Sequence, residues 1–136
     1  MIYLRPETQL ETHEVVNQPP PFEDVNIFTS DVALREAVAR EGAAAHSDRL
    51  AKFGARCGSA EILDWAQQAN RNPPQLKTFD RYGQRIDEVE FHPAYHKLMQ
   101  FGLEGGVSSA AWSGVEGGPV LHTALEFLMA QAEPGV

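Results

Sequence analysis

The sequence predicts a mainly α domain: a bundle of short helices with one small β-hairpin and an extended N-terminal arm. Three observations carry this. Apolar residues recur at helical spacing in five stretches, each bounded by capping side chains or by Gly and Pro. Two short segments rich in β-branched and aromatic residues flank a Gly-containing turn. Three consecutive prolines, Pro19, Pro20 and Pro21, exclude helix or central strand ahead of the first helix. The chain has 136 residues, 43% hydrophobic and 22% charged, which is the profile of one folded domain. A chain of that length can bury roughly two-thirds of its unfolded surface.

Residues 1–29 are expected to form the arm, and residues 30–136 the helical domain. Val15, Val16, Phe22, Val25, Ile27 and Phe28 predict that the arm lies against a surface, because a solvated tail rarely carries so many apolar groups. Thr29-Ser30-Asp31 offer capping oxygens for a first helix with Val32, Leu34, Ala37 and Val38 on its apolar side, stopped at Gly42. After a brief break at Ala43–Ala45, Ser47-Asp48 start a second helix with Leu50, Phe53 and Cys57 inward and Gly58 at its end. Ser59 starts a third, with Ile62, Leu63, Trp65, Ala66 and Ala69 inward, which Asn72-Pro73-Pro74 terminates.

Residues 76–79 and 86–91 then flank the turn Asp80–Gly83, where Gly83 can take positive φ. A lone hairpin is marginal in water, so this one is expected to rest on the helices. His92-Pro93 open a fourth helix with Tyr95, Leu98, Met99 and Leu103 along one side. The Gly- and Ser-rich residues 105–118 are expected to be a mobile connection. Pro119 opens a fifth helix, running through Ala132, with little polar face. Such a helix is expected to need cover from beyond this chain.

Composition narrows the function classes. With 11 Lys and Arg against 19 Asp and Glu, the formal net charge is −8, which opposes a phosphate backbone as main partner. No apolar run approaches the roughly 20 residues that span a bilayer. No secretory leader is visible, and a single cysteine suits a reducing compartment, so a cytoplasmic location is expected.

The search for chemistry gives no site above background. His92 and His96 are four apart on a helix, but zinc needs a third protein ligand and none is near in sequence. His92 is expected to bond to backbone at the helix start, and His96 to pack. Gly102, Gly105, Gly106, Gly114, Gly117 and Gly118 match no phosphate-binding pattern. Cys57 sits among apolar neighbours, and the spacing gives it no base. Asp87, Glu88 and Glu90 read as a solvated strand face. Trp65 and Trp112 are too far apart in sequence to make a stacking platform, and the seven arginines from Arg35 to Arg85 form no stripe.

Several strings nevertheless resemble one family. Thr12–Pro20, Ser30-Asp31 with Ala33–Val38, Arg40–Ala43, Asn72–Leu76, Asp80–Gly83, Val89–Met99 and Ala130–Glu133 are similar, in order, to the N-terminal helical domain of AidB-type (adaptive response) proteins, a branch of the acyl-CoA dehydrogenase superfamily. The resemblance covers roughly residues 12–133 and departs from the pattern at Ala45 and through 105–118. It implies a helical domain of a longer FAD-dependent flavoprotein that oxidises acyl-CoA thioesters, assembles as a homotetramer and takes part in the response to DNA alkylation. The flavin site and the catalytic carboxylate would lie in later domains. No catalytic, cofactor-binding or metal residue is assigned to this chain, and alone it is expected to be inactive. Its partners would be those later domains or further copies of itself. The competing expectation is a stand-alone, non-catalytic interaction module.

Overall fold

The computed structural model describes residues 16–133. The expected arm residues 1–15 and the last three residues lie outside that range. The elements run α1 (Val32–Arg40), a 3-10 turn (Ala44–His46), α2 (Ser47–Cys57), α3 (Ala60–Arg71), β1 (Gln75–Phe79), β2 (Arg85–Glu90), α4 (Pro93–Gly105), a second 3-10 turn (Ala110–Trp112) and α5 (Gly118–Ala132). The expected fold class is the observed one: five helices with one antiparallel hairpin.

The caps explain the boundaries. Asp31 accepts from the Leu34 N–H, Ser59 from Ile62 and His92 from Ala94, each meeting an amide left free in a first turn. Gly106 closes α4 at φ +82, a left-handed geometry that favours glycine. Between the helices Leu50, Ile62, Leu98, Leu121, Leu125 and Leu128 are fully buried. α2 packs on α5 and α3 on α4, and the Phe53 ring stacks on Phe101 with centroids 4.9 Å apart.

The arm joins this core more intimately than a surface strap. Ile27 and Phe28 are buried, while Val16 and Phe22 stay exposed. The Val25 amide donates to the Gly58 carbonyl and the Ile27 amide to Gly54, both at 3.3 Å, so the arm lies backbone to backbone on the end of α2. Such an approach demands glycine at both positions. A Cβ on Gly54 would stand 2.7 Å from that of Phe28, and one on Gly58 would overlap the Val25 carbonyl. Asn26 locks the crossing, donating to the Ala51 carbonyl and accepting from the Phe28 and Thr29 amides.

Five expectations are corrected. The apolar side of α4 runs through Ala94 and Leu98 with Phe101 half-buried, so Met99 and Leu103 are exposed: the buried stripe is rotated by about one residue from the expected face. In α1 only Val38 is fully buried and Val32 is exposed, because this short helix meets the core along the side of Leu34 and Val38, which Val32 does not share.

The segment 105–118 is not an unstructured link. The Val107, Ser109, Ala110 and Trp112 amides bond back to Gly102, Gly106, Gly106 and Ser109, and Ala110 is buried against α5. Side chains fasten it as well. Arg49 donates to the Gly105 carbonyl, His122 Nδ1 to Val107 at 2.6 Å and His46 Nε2 to Glu116 at 2.8 Å.

α5 also does not wait for outside cover. Leu121, Ala124, Leu125, Leu128 and Met129 are buried by this chain, and Thr123, Glu126 and Gln131 face water. Three exposed polar side chains suffice, with His122 half-buried beside them and the exposed Ala130 and Phe127 completing the outer side.

The hairpin is the reverse case. Its turn forms as expected: Asp80 accepts from the Tyr82 and Gln84 amides, and Gly83 has φ +81. It does not rest on the helices, however, and every strand residue except Thr78 is exposed. Prolines explain the projection. Pro73-Pro74 end α3 and Pro93 begins α4, so both strands leave from the ends of a packed helix pair rather than along its side.

Candidate functional site

Among the described residues no group of three or more His, Cys, Asp or Glu side chains is placed to hold a metal. His92 commits Nδ1 to the Ala94 amide, the capping role expected of it. His96 is exposed and packs edge-on against the Phe91 and Tyr95 rings, which stack on each other at 4.4 Å. Both imidazoles therefore have structural work at the start of α4.

Cys57 is 1% exposed inside the core, and burial pushes its thiol up to about 12 against the slight opposing pull of Arg56. A thiol held neutral is a poor nucleophile. The acids of the hairpin are solvated, as expected, and Glu90 binds Lys77 at 2.6 Å while Asp87 binds Arg85 at 2.7 Å. Trp65 is half-buried with the Lys97 ammonium over its ring, and Trp112 stands 86% exposed on its turn. The structure brings none of these side chains together into a reactive constellation.

Among the described residues two concavities stand out, and sequence reasoning found neither. An apolar groove of about 340 Å³ lies between α1 and α5, walled by Leu34, Val38, Val120 and Ala124 and rimmed by Glu41 and Thr123. A more polar cleft of about 260 Å³ opens where Phe22 and Glu23 of the arm cross Gln67 and Asn70 of α3. Asn70 also donates to the buried carboxylate of Glu133 at 2.6 Å, tying α3 to the end of α5. A groove between helices distant in sequence leaves no local signal. The Gly54-x-x-x-Gly58 spacing in α2 was the one available hint that a backbone lies close by.

Ligand sites for drug-sized molecules occupy about 300–1,000 Å³. The two concavities lie at or below the lower end of that range, and neither presents a glycine-rich turn between a strand and a helix to seat a pyrophosphate. Neither concavity by itself is built to seat FAD.

Residues 17–136 match the model of the adaptive response protein AidB N-terminal domain. The chain belongs to this family. Among curated proteins it is 45% identical over 127 residues to the putative acyl-CoA dehydrogenase AidB of Escherichia coli (strain K12), covering 92% of this chain and 24% of that protein. Among solved structures it superposes on Caenorhabditis elegans ACDH-11 in complex with C11-CoA with a TM-score of 0.76 at 25% identity, over 100% of this chain and 24% of that one. The Bd2924 apo-form gives a TM-score of 0.74 at 27% identity, over 81% and 23%.

As an AidB N-terminal domain the chain is homologous to the first part of acyl-CoA dehydrogenase-type proteins, and it spans about a quarter of the length of the relatives it matches. No described helix is long and apolar enough to cross a membrane.

Proposed function

We propose that this chain is the helical N-terminal scaffold of an AidB-like, FAD-dependent flavoprotein. The parent activity is the oxidation of an acyl-CoA thioester with electrons passed to flavin, in a cytoplasmic homotetramer tied to the response to DNA alkylation. The observation that supports this reading is continuity: the family match, the curated relative and the ACDH-11 structure each cover nearly the whole chain.

In this reading residues 1–29 are the arm and residues 30–136 the helical domain, with catalytic and flavin-binding groups supplied by later domains. FAD, where bound, supplies the electron acceptor. The residues here contribute shape: a core locked by the arm, and two shallow concavities.

The test is spectroscopic. The purified 136-residue chain, titrated with FAD and with acyl-CoA, is expected to acquire no bound flavin absorbance and to reduce no electron acceptor. Stoichiometric flavin retained through gel filtration overturns the assignment of the flavin site to later domains.

A second reading, a stand-alone interaction module, is favoured by the exposed hairpin and by Trp112. Binding to nucleic acid by this segment is disfavoured by its charge of −8. A gel shift with duplex DNA at near-physiological salt is expected to show no complex.

A further inference from the structure

The cleft where the arm crosses α3 holds an uncompensated charge. Glu23 lines it half-buried, and among the described residues no hydrogen bond or ion pair reaches its carboxylate. No described lysine, arginine or histidine lines the cleft. A carboxylate drawn partly out of water with no donor beside it carries a desolvation cost, which an entering cation offsets.

The rest of the lining narrows the class of cation. Leu63 and Ala66 of α3 and Ala132 of α5 make one part of it apolar. Gln67 has no hydrogen-bond partner, and Asn70 donates to Glu133, so a carbonyl oxygen of each side-chain amide is still unused. Those oxygens and the carboxylate accept from N–H donors. Phe22, 75% exposed, adds an aromatic ring of the kind on which alkylammonium groups settle.

A bare metal ion meets one carboxylate and an apolar wall here, short of the roughly six to eight oxygens that calcium takes. An anion is repelled by Glu23, and a neutral apolar molecule leaves that carboxylate without a partner. A short aliphatic amine uses both parts of the lining. Its ammonium donates to Glu23 and the amide oxygens, and its chain covers Leu63 and Ala66. A cavity of about 150 Å³ takes benzene, so about 260 Å³ has room for a chain of roughly five or six carbons.

We propose that this cleft binds a small aliphatic ammonium ion, with Glu23 as its counter-charge, the Gln67 and Asn70 amides as further acceptors and Phe22 against the head group. The same chemistry reaches the cleft as a free amine or as a lysine side chain of a partner. The proposal goes beyond the flavoprotein reading, and failure of either leaves the other standing.

The probes are n-pentylammonium for the free amine and Nα-acetyl-lysinamide for the side chain, titrated into the isotope-labelled chain and followed by NMR. Pentylammonium is expected to bind with a Kd of about 1 mM, moving the side-chain amide signals of Gln67 and Asn70 and leaving those of the hairpin in place. Tighter binding of the lysine derivative assigns the side-chain source, and tighter binding of pentylammonium the free amine. Pentan-1-ol, of equal length without charge, is expected to bind about fivefold more weakly or worse. Glu23→Gln is expected to weaken pentylammonium by about fivefold or more, Phe22→Ala by about two- to fivefold, and Gln67→Glu to tighten it. Phe22 and Glu23 precede the Val25 and Ile27 amides that hold the arm on α2, and circular dichroism checks that each variant keeps its helices. The proposal is overturned by no saturable shift up to about 50 mM of either probe, by pentan-1-ol binding as well as the amine, by equal shifts at the hairpin acids, or by shifts indifferent to Glu23→Gln.

Discussion

Gly58 shows how one missing side chain can decide a fold. Its φ of −85 is open to any residue, so what it supplies is room for the arm. Gly58→Ala is expected to destabilise the domain by about 3 kcal/mol, the upper end for overpacking, because the obstacle is the Val25 backbone and not a flexible chain end. Urea unfolding followed by circular dichroism measures it, and an unchanged midpoint contradicts the crossing. Gly105 makes a similar case, since a Cβ there would overlap the Phe53 ring.

Cys57 gives a residue-scale test with a defined sign. Its thiol is pushed up to about 12 in the fold from an ordinary 9.0, so the unfolded chain ionises first. That stabilisation is fully present below about pH 9 and is lost as pH rises toward 12, at up to about 1.4 kcal/mol per unit. Stability against pH is expected to fall more steeply above pH 9 for the wild type than for Cys57→Ala. Equal slopes count against a thiol sealed in the core.

At the scale of elements, the sequence was most legible where side chains cap their own helix. Asp31, Ser59, His92-Pro93 and Gly106 mark ends that are local in both sequence and space. What it left unread depends on distant neighbours. Helical periodicity identifies apolar side chains but not whether anything lies opposite, so Leu103 and Val32 were counted inward. A Gly-rich composition predicts a loose link, yet backbone bonds and three long-range side-chain donors hold residues 105–118 in place. The candidate concavities were illegible for the same reason, each being walled by segments far apart in the chain.

The hairpin belongs at this scale too. It is held by its own cross-strand pairs and by Asp80, whose carboxylate takes two amides. Asp80→Ala is expected to loosen the turn by about 1–2 kcal/mol. Amide exchange in β1 and β2 should then accelerate about five- to thirtyfold while α2 and α5 are unchanged. In the core Leu125→Ala is expected to cost about 2–5 kcal/mol and lower the unfolding midpoint of the whole domain, since Leu125 is fully buried on the helix that meets α2.

For the whole molecule, the expectation that the last helix lacks cover gave way to a different imbalance. The helices bury most of their apolar stripes, and exposed apolar side chains are found on the hairpin, at Leu76, Phe79 and Val89, and elsewhere at Phe22, Val32, Leu103, Trp112 and Phe127. The net charge of −8 disfavours acidic partners.

The crossing of the arm over α2 also sets where this polypeptide may be shortened. Residues 17–20 are solvent-exposed and make no contact with the interior that their loss would break. Removal continuing through Asn26 strips the Gly58 carbonyl of its donor, frees the Ala51 carbonyl and uncovers the underside of α2. Of the described part of the arm, the stretch on which the interior depends thus begins within a few residues of Phe22.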